Sequence, residues 1–168
     1  MGRHPSQDRL TIEPDDLTRQ PVRELIAEHL ADMHATSPAE SVHALDHAAL
    51  QEPEVSFWTS WSDGTLLGCA ALKELSPFEG EIKTMRTRRE ARGRGVASHL
   101  LTFLIDESRR RGYHRISLET GSQDFFAPAR RLYARHGFTP CPPFADYQAD
   151  PNSVFMTLRL SEESTADG

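Results

Sequence analysis

The sequence contains little cysteine and no long apolar run. Cys69 and Cys141 are the two cysteines in 168 residues and form no C-x-x-C pair, so neither a disulfide framework nor a cysteine metal site is predicted. The eight histidines include no H-E-x-x-H spacing, and we assign no metal. No stretch approaches the roughly 18 apolar residues that a membrane-spanning helix needs, and no apolar signal segment opens the chain. We therefore expect a cytoplasmic protein that does not bind a membrane.

The charge balance is acidic, with a formal net charge of −6 at pH 7. A negative net charge opposes non-specific binding to nucleic acid, although arginines cluster at 86–94 and again at 109–111. A local cluster of this size suits a small polyanion better than a duplex. The chain is long enough for one buried core, so we expect a single domain over residues 9–160 with flexible tails at 1–8 and 161–168.

The segment 92–97, R-G-R-G-V-A, lies between an alternating strand pattern at 81–87 and an amphipathic helix pattern. Gly93 and Gly95 carry no Cβ, so their backbone can approach an anion closely. The helix that follows would direct its free N–H groups and the positive end of its dipole at that anion. The pattern favours a phosphate-binding turn, and a basic surface loop that caps the helix is the alternative.

The remaining periodicities predict an antiparallel meander followed by a βαβ unit. Helical spacing begins at Pro21 and again after the R-G-R-G turn, and a third helical segment at 125–136 stops at Gly137. A D-G turn at 63–64 joins two strands as a hairpin. Because a helix separates the strands at 81–87 and 114–120, we expect those two strands to be parallel neighbours. The strand patterns lie at 10–12, 55–61, 66–75, 81–87, 114–120 and 154–160, with a further strand beginning at Phe138.

With these elements in order, the chain resembles the GNAT superfamily of N-acetyltransferases. The pyrophosphate signature of that family, [Q/R]-x-x-G-x-[G/A], is Arg92-Gly93-Arg94-Gly95-Val96-Ala97 here, and a second signature is A-R-R-L-Y-A-R-H-G-F at 129–138. Further matches at 41–46, 118–133 and 143–147 are similar to a bacterial branch of small acetyltransferases. The resemblance implies an α/β (α+β) fold with a mixed sheet of about six to seven strands and about four flanking helices.

The resemblance also implies a donor and its binding residues. Acetyl-coenzyme A would lie with its pyrophosphate on the backbone N–H groups of the R-G-R-G turn, in agreement with the glycine and helix-dipole argument. Its pantetheine arm would run along the preceding strand. The implied donor-binding residues are Met85, Arg86, Thr87, Arg92, Gly93, Arg94, Gly95, Val96 and Ala97.

Acetyl transfer to an amine needs an acid for the departing thiolate and a neutral nucleophile. The family's tyrosine acid corresponds to Tyr133, for which a role in the core is the alternative, and some members place a glutamate base where this chain has Glu81. Glu119, His43 and His34 are other candidates for the base, and an amine that arrives neutral would need none. The candidate acceptor-binding residues are His34, His43, Glu119, Phe126 and Tyr147.

The sequence therefore predicts an acetyl-coenzyme A-dependent N-acetyltransferase that acts on a small-molecule amine. Acetylation of a protein or peptide is an alternative, and so is an acyl-coenzyme A sensor without turnover. We expect no nucleic-acid partner. Dimers are common in the family, so the resemblance is compatible with a homodimer.

Overall fold

A seven-stranded mixed sheet forms the centre of the protein, described by a computed structural model over residues 10–42 and 45–160. The predicted tails at 1–8 and 161–168 lie outside the described residues, as does His43. Within the described ranges, no helix is both long and apolar enough to cross a membrane. The strands are β1 Thr11–Pro14, β2 Val55–Ser62, β3 Thr65–Ser76, β4 Glu79–Thr87, β5 Arg115–Gly121, β6 Thr139–Pro140 and β7 Ser153–Arg159.

The spatial order of the strands is β1-β2-β3-β4-β5-β7-β6. The first four strands pair antiparallel as a meander, β4 and β5 pair parallel, and β7 pairs antiparallel with both β5 and β6. This arrangement confirms the predicted fold class, including the parallel pair across the βαβ unit.

Three α-helices flank the sheet within the described residues: α1 Gln20–Thr36, α2 Val96–Arg110 and α3 Ala127–Arg135. Each begins or ends where the sequence supplies a local signal. Prolines occupy the first turns of α1 and α3, where a missing N–H costs no helical hydrogen bond. Gly112 and Gly137 follow α2 and α3 at φ values of 84° and 98°, which close a helix without a Cβ clash. The other helical pieces are short 3₁₀ turns at Ala39–Ser41, Ala49–Gln51, Arg89–Ala91 and Asp124–Phe126.

The helices cover opposite faces of the sheet. Buried residues of α2 and α3 share one apolar cluster with Leu72, Ile82 and Leu118, so we call this side the α2/α3 face. Buried residues of α1 share a second cluster with Cys69 and Ala71, which defines the α1 face. Each cluster removes apolar surface from water on its own side of the strands, so both faces of the meander are stabilised by burial.

A β-bulge in β4 changes which face of the sheet the following side chains point to. Ile82 lies opposite Leu72, whereas Thr84 lies opposite Ala71, so Lys83 is an extra residue without a direct partner on β3. A bulge of this kind re-aims the side chains that follow it. Ile82 therefore lies on the α2/α3 face, whereas Thr84 lies on the α1 face, although strict alternation would put the two on the same side.

The parallel pair β4–β5 separates beyond its fourth residue pair. Paired residues run from Glu79 opposite Arg115 to Ile82 opposite Leu118, but β4 continues to Thr87 and β5 to Gly121. The unpaired ends leave a slot between residues 83–87 and 119–121. This slot lies where the sheet can be approached from both faces.

Candidate active site

A cavity of about 540 Å³ passes through the slot between β4 and β5. We call it the slot cavity. Its walls come from both sides of the sheet, because α2 and α3 contribute residues from one face and α1 contributes residues from the other. Residues from every segment of the predicted donor site line it, and so do both predicted catalytic residues.

The R-G-R-G turn forms one end of the slot cavity, immediately before α2. Gly93 and Gly95 have φ values of 81° and 80°, in the left-handed region that other residues rarely adopt. A Cβ built at either position would meet no atom within 4 Å, so backbone conformation, and not crowding, selects glycine there. The open space lies beside the first turn of α2, whose free N–H groups favour an anion.

The arginines near the R-G-R-G turn differ in whether they line the slot cavity. Arg92 lines the slot cavity, and so does Arg135 at the end of α3, which sequence reasoning did not select. Arg94 is exposed and is not among the lining residues. Both lining arginines are exposed, so they add positive potential where a phosphate would meet the turn.

Strand β4, the predicted donor strand, contributes Met85, Arg86 and Thr87, all of which line the slot cavity. The Arg86 side chain is buried and donates to Glu28 and Asp32 on α1, at 3.0 and 2.6 Å. This guanidinium therefore holds α1 against the strand instead of reaching toward the R-G-R-G turn. Met85 packs on the opposite side, against the apolar cluster of α2 and α3.

Tyr133 lies on α3 and reaches the slot cavity from the α2/α3 face. It is 6% exposed, and its ring packs edge-on against Phe138 at a centroid distance of 5.7 Å. Burial raises the pKa of its phenol above the ordinary value, so the hydroxyl stays protonated at neutral pH. The side chain thus carries a proton that it can donate.

Glu81 reaches the slot cavity from the α1 face and is 3% exposed. Its Oε2 accepts a hydrogen bond from the Tyr147 hydroxyl at 2.6 Å and one from Lys83 Nζ at 3.3 Å. The same ammonium donates to the Tyr147 oxygen at 2.7 Å. A buried carboxylate with two donors, one of them cationic, has its charge compensated.

Of the predicted acceptor residues, Glu119, Phe126 and Tyr147 line the slot cavity. Glu119 lies on the α1 face opposite Phe155 and accepts a hydrogen bond from Ser153 at 2.7 Å. His34 lies on an exposed part of α1 and is not among the lining residues. On the α1 face, the described lining of the slot cavity instead includes His29, Met33, Ser37, Ser41 and Val42.

His29 is the histidine that α1 does bring to the slot cavity. It continues the buried helical stripe of Val22, Leu25 and Ile26 and is 8% exposed. Its Nδ1 is buried without a hydrogen-bond partner. Burial, reinforced by the positive charge of Arg86, lowers the pKa of His29 to about 4, so its ring is neutral at pH 7. Its position in the apolar stripe was the sequence signal that could have identified it.

The α1 side of the slot cavity is enclosed by two connections that sequence periodicity does not predict. Ser41 Oγ donates to Asp150 Oδ2 at 2.6 Å and ties the turn after α1 to the segment before β7. Tyr147 and Phe144 of that segment pack against Phe155, tilted and edge-on respectively, with ring centroids 5.4 and 5.9 Å away. The segment 141–152 therefore covers the α1 face beside the slot. Among the described residues, no group of histidines, cysteines and carboxylates could hold a metal ion.

The slot between β4 and β5 thus has a glycine turn and a helix N-terminus at one end, and Tyr133 and Glu81 reach it from opposite faces of the sheet. The sequence also matches the model of the acetyltransferase (GNAT) family over residues 22–138. The chain belongs to this family and is an acyltransferase of the GNAT N-acetyltransferase type.

Individual relatives agree with this assignment. The uncharacterized N-acetyltransferase YsnE of Bacillus subtilis is 52% identical over 89% of this chain and 99% of its own length. A protein from Klebsiella pneumoniae, provisionally named an acyl-CoA N-acyltransferase, has a crystal structure that covers 90% of this chain and 98% of its own, with a TM-score of 0.73 and 30% identity. A GNAT family acetyltransferase from Elizabethkingia anophelis, solved with acetyl-CoA bound, shares the fold at a TM-score of 0.65 and 16% identity over 91% of this chain and 99% of its own.

Proposed function

We propose that this protein transfers the acetyl group of acetyl-coenzyme A to the primary amine of a small molecule by direct attack. The placement of Tyr133 and Glu81 carries the proposal. Both line one cavity, but Tyr133 enters it from the α2/α3 face and Glu81 from the α1 face. A thioester in the slot would therefore have a proton donor on one side and a carboxylate on the other.

The donor end is supported by the R-G-R-G turn. The open backbone at Gly93 and Gly95, the N-terminus of α2 and the side chains of Arg92 and Arg135 together suit a pyrophosphate. The acetyl-coenzyme A bound to the Elizabethkingia relative is the donor that this arrangement fits. The main chain of β4 beyond Ile82 has no partner on β5, so its free groups can bond a pantetheine arm.

The residues divide the chemistry between the two faces. Glu81 accepts the proton that the amine loses as its nitrogen attacks the thioester carbon. Tyr133 donates its phenolic proton to the sulfur as the carbon–sulfur bond breaks. Proton removal and proton delivery thus occur on opposite sides of the reacting carbon, which keeps the two groups from neutralising each other.

Glu119 is the competing candidate for the base, since it also lines the slot cavity on the α1 face. Glu81 is the stronger candidate because it is the more buried carboxylate and lies at the point where β4 and β5 separate. A comparison of Glu81→Gln with Glu119→Gln distinguishes them, and we expect the larger loss of turnover in Glu81→Gln.

A small acceptor is favoured by the enclosure of the α1 side. The Ser41–Asp150 hydrogen bond and the aromatic packing of Tyr147 bridge over the space that an extended peptide would need. We therefore expect compact amines to be better acceptors than peptides.

Titration calorimetry with acetyl-coenzyme A tests the donor, and release of the free thiol in the presence of an amine panel tests the reaction. We expect saturable binding, and at a donor concentration of about 100 times the dissociation constant a stabilisation of about 2.7 kcal/mol. Peptides with free N-termini or lysines are included as the contrasting acceptors. A folded sample that bound no acetyl-coenzyme A, or bound it without ever releasing thiol, would sink the proposal.

A further inference from the structure

The Glu81 carboxylate has two unequal oxygens. Oε2 accepts from Tyr147 and from Lys83, whereas no described residue donates to Oε1. Although Oε1 has no donor among the described residues, it is not completely buried. One oxygen is therefore fixed by the protein, and the other is accessible from the cavities that Glu81 lines.

The three side chains form a closed triangle of hydrogen bonds. The Tyr147 hydroxyl donates to Glu81 and accepts from Lys83, and Lys83 also donates to Glu81. Lys83 and Glu81 are nearly buried, with side-chain exposures of 8% and 4%. A carboxylate held by two donors at such burial has little rotational freedom. Its accessible oxygen therefore has a defined direction.

Separate parts of the fold deliver the two donors. Lys83 follows Glu81 by two residues in β4, a spacing that places two side chains on the same side of a strand. Tyr147 comes from the segment 141–152, where its ring packs against Phe144 and Phe155. Burial and the neighbouring charge of Glu81 both raise the pKa of Tyr147, which keeps its hydroxyl protonated and able to donate.

The triangle also marks a junction between cavities. Glu81, Lys83 and Tyr147 line the slot cavity and a second cavity on the α1 face, which is bounded by Lys73, Arg115 and the segment 141–150. An acceptor that approaches from the α1 face meets this triangle before it reaches the slot. The orientation of Glu81 is thus set at the point of entry.

We propose that Tyr147 and Lys83 are positioning residues that clamp Oε2 of Glu81 and thereby direct Oε1 at the acceptor amine. This inference rests on the proposed function, because it assigns to Glu81 the removal of the amine proton. Neither positioning residue exchanges a proton with the substrate. Each acts on turnover through Glu81 alone.

The first test is Tyr147→Phe, which keeps the ring packing and removes only the hydroxyl. Loss of one hydrogen bond to a charged group predicts a fall in kcat of about tenfold or more, with unchanged affinity for acetyl-coenzyme A. The pH profile of kcat should also change, which a merely structural role would not cause. Thiol release is measured with the best amine of the panel and, without any amine, with water as the acceptor.

Tyr113→Phe is the matched control. Tyr113 is buried and donates to a carboxylate, Glu74, at 2.8 Å, but it lines neither the slot cavity nor the second cavity. Its variant loses the same kind of hydrogen bond, so any loss of stability should be similar. We expect kcat and its pH profile to remain those of the wild type.

The two lysines of the chain provide a second matched pair. Lys73 lies directly opposite Glu81 on β3 but forms no ion pair with it, whereas Lys83 does. Lys83→Met should therefore lower kcat and change its pH profile. Because Lys73 borders the second cavity, Lys73→Met can change the KM of the acceptor, but it should leave the pH profile of kcat as in the wild type. In a Glu81→Gln background, neither Tyr147→Phe nor Lys83→Met should cause a further loss, because residues that act through one group are not additive.

The outcomes separate the two proposals. A wild-type rate in Tyr147→Phe and Lys83→Met, or losses that add fully to that of Glu81→Gln, overturns the positioning role and leaves the transferase intact. A wild-type protein that binds acetyl-coenzyme A but releases no thiol with any amine or with water overturns both.

Discussion

Tyr133 combines burial with access to the slot. Its phenol lies on the side of the sheet that carries the R-G-R-G turn, and burial raises its pKa and so maintains the protonated form. Because its ring contributes to the apolar cluster, the aromatic part and the hydroxyl have separable roles.

Tyr133→Phe is expected to retain the fold and the donor affinity and to reduce kcat by about a hundredfold, the scale of a lost general acid. Steady-state thiol release and calorimetry with acetyl-coenzyme A measure the two quantities. Tyr113→Phe again serves as the comparison. Unchanged turnover in Tyr133→Phe would remove the acid assignment and leave the tyrosine as a core residue.

His29 predicts a pH dependence of stability. Its folded pKa of about 4 lies below the ordinary value of 6.5, so the unfolded chain binds the proton first as pH falls. Stability from this residue is present above pH 6.5 and is lost between pH 6.5 and 4, by up to about 3 kcal/mol. Melting curves of His29→Leu should show a weaker decline across this window than the wild type. His99→Leu, at an exposed position of α2, should decline as the wild type does.

At the scale of secondary-structure elements, local irregularities decide which way the side chains that line the slot cavity point. The bulge in β4 directs Thr84 and Arg86 toward α1 and Met85 toward α2 and α3. The first turn of α2 is connected to the end of α3, because Ser98 and the His136 ring are hydrogen-bonded at 3.1 Å. The His136 Nδ1 faces the Leu132 carbonyl at 3.0 Å, so Nδ1 carries the proton and Nε2 accepts from Ser98. These hydrogen bonds thus fix the R-G-R-G turn relative to α3, the helix that carries Tyr133.

Two glycines with the same φ angle allow a controlled test of the R-G-R-G turn. Gly95 and Gly64 both have φ of 80°, and a Cβ at either would meet no atom within 4 Å. Gly95→Ala and Gly64→Ala should each lose about 1 kcal/mol of stability from the strained backbone. Only Gly95→Ala should also weaken acetyl-coenzyme A binding, by about tenfold, because one distorted N–H donor is worth about 1.4 kcal/mol. Equal losses of affinity in calorimetry would contradict the assignment of the turn.

Across the whole molecule, one buried cation joins the α1 layer to the sheet. The Arg86 side chain is 6% exposed, whereas its partners Asp32 and Glu28 are 29% and 43% exposed. Removal of the two carboxylates leaves the buried Arg86 charge without a partner, whereas removal of the arginine leaves two carboxylates that water can reach.

The double variant Glu28→Gln/Asp32→Asn should therefore lose about 3 kcal/mol of unfolding free energy, and Arg86→Met about 1 kcal/mol. Urea unfolding measures both values. A larger loss in Arg86→Met would show that the stem of the arginine, and not its charge, carries the contact.

Much of the architecture could be predicted from short-range patterns. The helices at Pro21 and after Gly95, the strand at 55–61 and the parallel pair of the βαβ unit are all present, because periodicity and glycine or proline signals act within a few residues. Alternation was a poor guide within β4, since the bulge reverses the facing of the residues after Ile82. His34 was selected for its residue type, whereas burial along the helix stripe selects His29.

The sequence by itself determined the family and the R-G-R-G turn, because positive-φ glycines and a following amphipathic helix are local features. Only the tertiary structure decided what surrounds Glu81 and Arg86. Their partners Tyr147 and Glu28 lie 66 and 58 residues away in the chain. Contacts at that separation depend on which strands diverge, where a bulge falls and which segment covers each face. Sequence spacing does not encode these choices locally, since they result from the packing of the whole sheet.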